Sequence, residues 1–394
     1  MKTTVIRRPK HWLLQLILGG VGVLSLLVFG ILCAVAAHIS SPLLHQQGAA
    51  RWQGDGTLRY DQVSVFRPVA EGLNAQKIEA AGTSIETELD KAGSPNASYL
   101  IAYGAETTIQ ATSQNGRSDA ALTLVGGDFF RIHGFTFLAG TGFLPDDVMQ
   151  DRVVLDELAA WQLFSSDNCV GLSMTMNGRE YYVAGVVAIE TDEASAACYG
   201  DKPRIYASYT GWPVAEGDAA LPVTFCEGIL PEPVDEFALA TFATAIGVDK
   251  DEVVDNTDRF SVPALWSNLR GLHMQGILSN AVVYPWWESA ARLAANRRSL
   301  LLVPMAMALL VPLGWGVWGA VCLYRLIRAG GRGVVHLADN VVERRRTRNY
   351  LKAQALKRQA KERNEQHAYE QSVEADAVPA AGSHDAADGA QRLR

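Results

Sequence analysis

Two long apolar runs constrain this 394-residue chain more than any other feature of its sequence. The first extends from Trp12 to Ala37 without a charged residue, and the second extends from Leu300 to Tyr324. Each run exceeds the ~20 apolar residues that cross the ~30 Å hydrocarbon core of a bilayer. The sequence therefore predicts two transmembrane helices, at 12–37 and 299–324, with residues 38–298 on one side of the membrane.

Basic residues flank the two runs on the sides that face away from the central segment. Four precede the first run and six follow the second within a short distance: Lys2, Arg7, Arg8, Lys10, Arg325, Arg328, Arg332, Arg344, Arg345 and Arg346. Cytoplasmic loops are enriched in Lys and Arg, so both ends are predicted to be cytoplasmic. Residues 1–11 and 325–394 are then inside the plasma membrane and 38–298 are outside, although Arg292, Arg297 and Arg298 oppose this assignment.

A cleaved signal peptide is the alternative interpretation of the first run. Ala34-Val35-Ala36 is compatible with a cleavage site. However, the run of about 25 apolar residues exceeds the 7–15 of a typical signal-peptide core, which favours a retained anchor. Aromatic residues that border the runs are typical of the membrane interface: Trp12, Trp286, Trp287 and Tyr324. A helix over Trp286 to Arg298 is predicted to lead into the second run, either as a plain stalk or as an element that transmits tilt.

The central segment is acidic. Residues 38–298 contain 17 Lys and Arg against 33 Asp and Glu, a net charge of −16, whereas the whole chain carries −7. This charge excludes nucleic acid as a ligand of the segment, while the basic ends are suited to contact anionic lipid. Three of the five cysteines, Cys169, Cys198 and Cys226, lie in the segment, so it can form at most one disulfide. We predict Cys198 with Cys226; three free buried thiols are the alternative.

The periodicity of the central segment predicts an α+β domain. Strands are expected over 58–66, 99–111, 120–125, 152–155, 204–209 and 221–230 and near Phe260, and helices over 74–92, 156–164 and 234–246. Asn177-Gly178 separates two alternating stretches and predicts a hairpin with a type I′ turn. Glu190 to Gly200 is polar and acidic and is interpreted as a loop. The pattern gives two strand–helix–strand halves around an inserted β-rich subdomain at about 127–215.

Several of these motifs resemble one known family. The sequence Arg152-Val153-Val154-Leu155, the helix after it, Val170-Gly171 and the hairpin closing on Tyr181 to Val187 are similar to the MacB-type periplasmic core domain of ABC-transporter permeases, the FtsX-like permease family. Gly126 to Phe130 and Leu138 to Phe143 resemble the family's entry into the same subdomain. The resemblance covers Leu58 to Val187 and extends loosely to about Ser261. It implies that the two halves share a sheet and that a separate or fused ATPase drives the membrane part.

No motif of catalysis or cofactor binding is present. The sequence lacks the phosphate-binding loop of transport ATPases, G-x-S-x-G, H-E-x-x-H and C-x-x-C. Gly314 to Gly319 matches G-x-G-x-x-G, but it lies within a predicted membrane helix and not in a βαβ unit. The eight histidines are scattered, and His133 is interpreted as structural. Asp146-Asp147 and Asp192-Glu193 are interpreted as surface charge, with weak calcium binding as the alternative. We therefore predict no catalytic, cofactor or metal residue and no enzyme.

Two functions are compatible with these features. The first is a non-catalytic membrane subunit of an ABC-type transport or mechanotransmission complex, whose outer domain engages substrate or partner. Because the resembling permeases have three spans after this domain and one is predicted here, a separate ABC ATPase and a fuller permease subunit are expected partners. The alternative is a membrane-anchored binding or scaffolding module that takes no part in transport. The tail is expected to be a charged helix over 334–370, with disorder from Ser372 onward.

Overall fold

The computed structural model describes residues 12–213, 220–275 and 282–375. The chain divides into two compact units, Met1–Pro312 and Leu313–Arg394. The first contains the central acidic segment, and the second is described as helix up to Ala375. The predictions for residues 1–11 and for disorder beyond residue 375 lie outside the described residues. The start of the predicted disorder at Ser372 is wrong, because residues 372–375 are the last of the helix that ends at Ala375.

Ten α-helices occur in the described residues: α1 Trp12–Ser40, α2 Gly48–Gln53, α3 Ala75–Glu79, α4 Ala81–Lys91, α5 Phe129–Ile132, α6 Glu157–Phe164, α7 Glu193–Tyr199, α8 Phe237–Ile246, α9 Val262–Gln275 and α10 Trp286–Ala375. Three short 3₁₀ helices are also present: Leu44–Gln46, Val69–Glu71 and Lys250–Glu252. The strands are β1 Tyr60–Phe66, β2 Leu100–Thr112, β3 Arg117–Gly127, β4 Phe137–Gly140, β5 Arg152–Asp156, β6 Ser173–Met176, β7 Arg179–Val187, β8 Arg204–Ser208, β9 Phe225–Pro231 and β10 Val254–Asp255.

The strands form one mixed sheet in the first unit. Their order is β10-β1-β9-β2-β3-β8-β5-β7-β4, and β6 pairs with β2 and β7. The β3–β8 and β5–β7 pairs are parallel, and the other pairs are antiparallel. Strands from both ends of the acidic segment thus join strands from its middle. The fold is a mixed α+β domain with a helix near its N-terminus, as the periodicity predicts.

Local sequence signals set several of these elements. Asn177 and Gly178 have φ of 48° and 74°, the positive values that a type I′ turn requires, which confirms the predicted hairpin. Asn74 accepts a hydrogen bond from the Lys77 backbone N–H at 3.2 Å and caps α3. Asp156 caps α6 by accepting from the Ala159 N–H at 2.6 Å. The predicted helices over 74–92 and 156–164 are therefore present, the first as α3 and α4.

Three large apolar clusters stabilise the domain. One lies beneath α6 and the β6–β7 hairpin and contains Met174 and Met176. A second lies between α3, α4 and α8 and the strands β1 and β9. The third is rich in aromatic rings and includes Trp286 and Trp287 from the start of α10. Burial of apolar surface in these clusters supplies most of the stabilisation of the fold, at roughly 25 cal/mol per Å².

Two secondary-structure predictions are wrong. Glu190 to Gly200 is not a loop throughout, because Asp192 accepts hydrogen bonds from the Ala194 and Ser195 N–H groups and starts α7. The acidic residues at the start of this segment favoured a loop in the prediction, whereas the structure has a short helix that buries only a few side chains. The last strand is not near Phe260 but at Val254–Asp255, where two residues pair with β1. Phe260 instead precedes α9.

The predicted Cys198–Cys226 disulfide is also wrong. All five cysteines are free thiols. Cys226 is buried in the cluster beneath α3, α4 and α8, whereas Cys198 packs on a different cluster near Leu43 and Ala294. The alternative of free thiols in the outer segment is therefore correct, with Cys198 only partly buried.

Two helices are long and apolar enough to cross a membrane, Ile17–Ser40 and Trp286–Arg328. Almost none of their apolar surface is buried within the protein: 6% of the most apolar window of the first is buried and none of that of the second. Within the first unit the two helices contact each other, since the Ser25 hydroxyl donates to the Ala308 carbonyl. Exposed apolar surface of this extent is typical of membrane-facing helices. Gly314 to Gly319 lies inside α10, which agrees with the rejection of a dinucleotide site.

Candidate functional site

The helix α10 begins inside the acidic domain. Trp286 and Trp287, its first two residues, are only 3% and 2% exposed. The Trp287 ring packs edge-on against Phe225 of β9, with ring centroids 5.4 Å apart, and the Trp286 ring packs against Tyr199 of α7 at 4.9 Å. The candidate second span is thus anchored by two large side chains in the core of the α+β domain. We call this region, centred on Trp286 and Trp287, the junction.

Both indole N–H groups at the junction find acceptors. Trp287 Nε1 donates to Glu227 Oε1 of β9 at 2.9 Å, and Trp286 Nε1 lies 3.4 Å from the Tyr206 hydroxyl of β8. A buried indole N–H without an acceptor would destabilise the folded state by roughly 1–3 kcal/mol. These bonds orient the two rings, so the junction is fixed by polar contacts as well as by packing.

Two buried histidines lie against the tryptophans. His45 Nδ1, in the 3₁₀ helix after α1, is 3.2 Å from His133 Nδ1, directly after α5. The Nε2 atoms point away from this contact: His45 Nε2 is 3.4 Å from Glu190 Oε1, and His133 Nε2 is 3.2 Å from Glu227 Oε2. Exposure is 3% for His45, 2% for His133 and 1% for Glu227. Four titratable groups therefore form a chain through the junction, which we call the histidine cluster.

The protein environment shifts the pKa values of two members of the histidine cluster, His45 and Glu227. Burial lowers the pKa of His45, and the nearby carboxylate of Glu190 only partly opposes that effect. Burial acts to raise the pKa of Glu227, but the charge and hydrogen bond of His133 outweigh it and leave the pKa lowered. Glu227 is thus held as a carboxylate, which accepts from the Trp287 indole and lies at ion-pair distance from His133.

The segment between α1 and β1 is tied to the same place. Gln62 Nε2 of β1 donates to the His45 carbonyl at 2.8 Å, and Gln62 Oε1 accepts from the Gly48 N–H at 2.9 Å. Arg51 Nη2 of α2 donates to the Ile132 carbonyl at 2.6 Å. The chain that leaves α1 and the chain that enters α10 therefore meet at the junction.

A second polar cluster begins at the next residue of α10, Glu288. Glu288 is fully buried and pairs with Arg259 at 2.8 Å and with Arg292 at 2.6 Å. Arg297 pairs with Glu193 of α7 at 3.0 Å, and Arg298 donates to the Ser40 hydroxyl of α1 at 2.7 Å. The arginines that opposed the predicted orientation are thus engaged in contacts within the protein.

The carboxylate pairs noted in the sequence also serve structural contacts. Asp147 pairs with Arg152 at 3.1 Å, Asp192 caps α7, and Glu193 binds Arg297. In the part of the chain that the structure describes, no group of three or more His, Cys, Asp and Glu side chains could hold a metal ion. A further buried titratable network beside the junction consists of Asp156, Tyr199 and Arg204 and joins α6, α7 and β8.

Sequence reasoning missed the junction. It assigned Trp286 and Trp287 to the membrane interface, which is wrong because both rings are buried in protein. His45 and His133 are 88 positions apart, so no spacing rule could pair them. The available signal was the Trp-Trp-Glu sequence ahead of three arginines, a pattern too polar and too aromatic for a plain stalk.

Comparison with known proteins identifies the domain. The family profile of the MacB-like periplasmic core domain matches residues 25–222. Among solved structures, the periplasmic region of MacB from Actinobacillus actinomycetemcomitans is 17% identical, with a TM-score of 0.34, over 50% of this chain and 89% of that chain. The extracellular domain of the ABC-type transporter YknZ from Gram-positive bacteria is 12% identical, with a TM-score of 0.32, over 50% and 99%. No curated protein matches significantly, and no catalytic family is indicated.

Proposed function

The chain belongs to the family of the MacB-like periplasmic core domain, and from this premise we propose that it is a non-catalytic membrane subunit of an ABC-type transport or mechanotransmission complex. Permeases of this family work with ABC ATPases in transporter complexes. In this proposal the outer domain engages a substrate or partner, and a separate ABC ATPase together with a fuller permease subunit drives it from the membrane and the cytoplasm.

The observation that carries the proposal is the burial of Trp286 and Trp287. A binding module on a passive stalk needs no more than a flexible connection to its anchor. Here the first two residues of α10 are part of the domain's aromatic core, and Glu288 adds a buried ion-pair cluster one residue later. Because these side chains are closely packed, a displacement of the membrane helix would be transmitted through them to the sheet.

The proposed topology is a two-pass protein with both termini cytoplasmic. The basic residues that flank the apolar helices favour this orientation, and the acidic charge of 38–298 suits an outer domain. In the proposed domain plan, the core domain spans 38–298, and β4 to β8 belong to an inserted subdomain at about 127–215. The outward apolar faces of both helices are suited to lipid or to the helices of a further subunit.

The direct test is purification of the tagged full-length chain from its own host, with crosslinking before lysis. The proposal expects an ATPase and a second multi-span protein to be recovered with it, and the eluate to hydrolyse ATP. A tagged two-span membrane protein without an outer domain, purified in parallel, controls for non-specific recovery. Recovery of the chain alone, without hydrolysis, would contradict the proposal and support the alternative of a binding or scaffolding module.

A further inference from the structure

The contact between the two histidine rings requires one hydrogen at its centre. The two Nδ1 atoms are 3.2 Å apart, a distance at which one must donate to the other. Two Nδ1 atoms without a hydrogen would place two lone pairs against each other. Each Nε2 lies near a carboxylate oxygen, at 3.4 Å for His45 and 3.2 Å for His133. The contact is therefore closed when one Nδ1 carries the hydrogen and the other accepts it.

Two carboxylates lie beside the histidine pair, and the other groups around it are uncharged or already paired. The charged groups that face the rings are Glu190, which follows β7, and Glu227 of β9. The neighbouring rings are uncharged: Phe129, Phe135, Trp286 and Trp287. The hydroxyl of Tyr206 lies behind Trp286. Arg51 of α2 is tied to the same segment, and its guanidinium donates to the carbonyls of Leu44 and Ile132. Glu288 of α10 is occupied by Arg259 and Arg292.

A second proton would make the contact between His45 Nδ1 and His133 Nδ1 repulsive instead of attractive. With both rings fully protonated, two N–H groups would face each other across 3.2 Å, and two positive charges would be buried side by side. In the described part of the chain, the hydrogen-bond partner of each Nδ1 is the other Nδ1. The rings would then have to separate, and His45 is the more easily displaced because it lies on a three-residue 3₁₀ helix in a connecting segment.

We propose that the histidine cluster is an acid-sensitive latch, in which one shared proton closes the contact between His45 and His133 and uptake of a second proton opens it. Opening would release the segment 43–53 from His133 and from the Trp286 ring. The outer domain would thereby loosen its hold on the start of α10 when the pH outside the membrane falls. This inference concerns the junction alone and holds whether or not the chain works with an ATPase.

The direction of the pH effect follows from burial. Because the pKa of His45 is lowered in the folded protein, the unfolded chain binds this proton more readily than the folded one. The stability that the neutral ring contributes is present above the ordinary His pKa of about 6.5 and is lost as the pH falls below it. Glu227 acts in the same sense at lower pH, since its pKa is also lowered. The latch should therefore open on acidification and not on alkalinisation.

Hydrogen exchange of the full-length chain in lipid nanodiscs tests the latch between pH 7.5 and pH 5. Rates are normalised to those of an unstructured peptide at each pH. We expect protection of 43–53 and 286–296 to fall at least tenfold, while the β6–β7 hairpin keeps its protection. The double variant H45N/H133N should show no such step, and H38N, which removes an exposed histidine at the end of α1, should retain it. Unchanged protection in the wild type, or loss in the hairpin at the same pH, would overturn the proposal.

A second variant keeps the test decisive if the double variant does not fold. Glu190 favours the charged form of His45, and its side chain is 13% exposed, so E190Q is compatible with the packing. Loss of a carboxylate at 3.4 Å makes protonation of His45 harder. The midpoint of the exchange step should move down by about half a pH unit or more in E190Q. An unchanged or raised midpoint would contradict a latch that opens by protonation of His45.

Discussion

At the scale of single residues, the junction depends on a few side chains with no alternative partners. Trp287 fills the space between Phe129, Phe225 and His133 and donates to Glu227. Its burial was not predictable from sequence, because a Trp beside an apolar run is as typical of a membrane interface as of a core. Whether such a Trp lies in a protein core or at a membrane interface depends on the residues that surround it in the fold, and not on its neighbours in sequence.

Replacement of this side chain should be costly. We expect W287A to lower the free energy of unfolding by about 3–5 kcal/mol, since a large buried ring is lost and the Glu227 carboxylate loses a donor. W161A is the matched control, because Trp161 is 54% exposed on α6, and it should change stability by less than about 0.5 kcal/mol. Denaturant unfolding of the detergent-solubilised chain measures both, and equal effects would contradict the packing described at the junction.

Asp156 gives a prediction with the opposite pH dependence to that of His45. Burial raises its pKa to about 6, although it accepts from the Ala159 and Arg204 N–H groups and from the Tyr199 hydroxyl. A raised carboxyl pKa means that its contribution is fully present below about 3.8 and is lost as the pH rises through 6. Between pH 5 and pH 7 the wild type should lose about 1 kcal/mol more stability than D156N. Parallel pH profiles of the two proteins would show that this carboxyl group does not titrate in that range.

At the scale of elements, the sequence predicted what local chemistry determines. The turn at Asn177-Gly178, the caps at Asn74 and Asp156 and the end of α8 at Gly247 were predictable because each depends on a few adjacent residues. The helix α7 and the two-residue strand β10 were not. The helix α7 has only seven residues and follows an acidic stretch. The strand β10 forms because the edge of β1 is available for pairing. Tertiary contacts outweighed the local pattern in both places.

Two glycines provide a matched pair at this scale. Gly178 has φ of 74° with open space around its Cβ position, so G178A meets only backbone strain and should destabilise the hairpin by about 1 kcal/mol. Gly271 lies inside α9, also with open space, so G271A should stabilise the chain by up to about 1 kcal/mol. Thermal unfolding compares the two variants. If the unfolding temperatures of G178A and G271A both rose or both fell, either the positive φ at Gly178 or the helical conformation at Gly271 would be contradicted.

At the scale of the whole molecule, composition and the apolar runs predicted a membrane protein with a mixed α+β domain, and the family match agrees with both. What the sequence did not reveal is how the domain holds its membrane helices. That arrangement depends on side chains from six separate elements that meet around Trp286 and Trp287. Contacts between residues more than 80 positions apart, such as His45 with His133, leave no periodic trace in one sequence.

The proposed topology makes a whole-molecule prediction. Thr87 on α4 and Thr347 on α10 are both exposed, so a cysteine at either position should be reactive without disturbing the fold. In intact cells whose chain carries serine at Cys33, Cys198 and Cys322, T87C should react with a membrane-impermeant maleimide and T347C should react only after permeabilisation. Labelling of T347C from outside would show that the two-pass orientation is wrong.

The α+β domain and the start of α10 form one body, joined at Trp286 and Trp287. Spin labels at Thr87 on α4 and Met307 on α10, both exposed, allow this to be measured by electron–electron resonance in nanodiscs, on the same serine background. We expect one narrow distribution of the distance between the two labels in the wild type at neutral pH and a broad distribution in W286A/W287A. A broad distribution in the wild type would contradict it, because a flexible connection could not carry motion between the membrane and the domain.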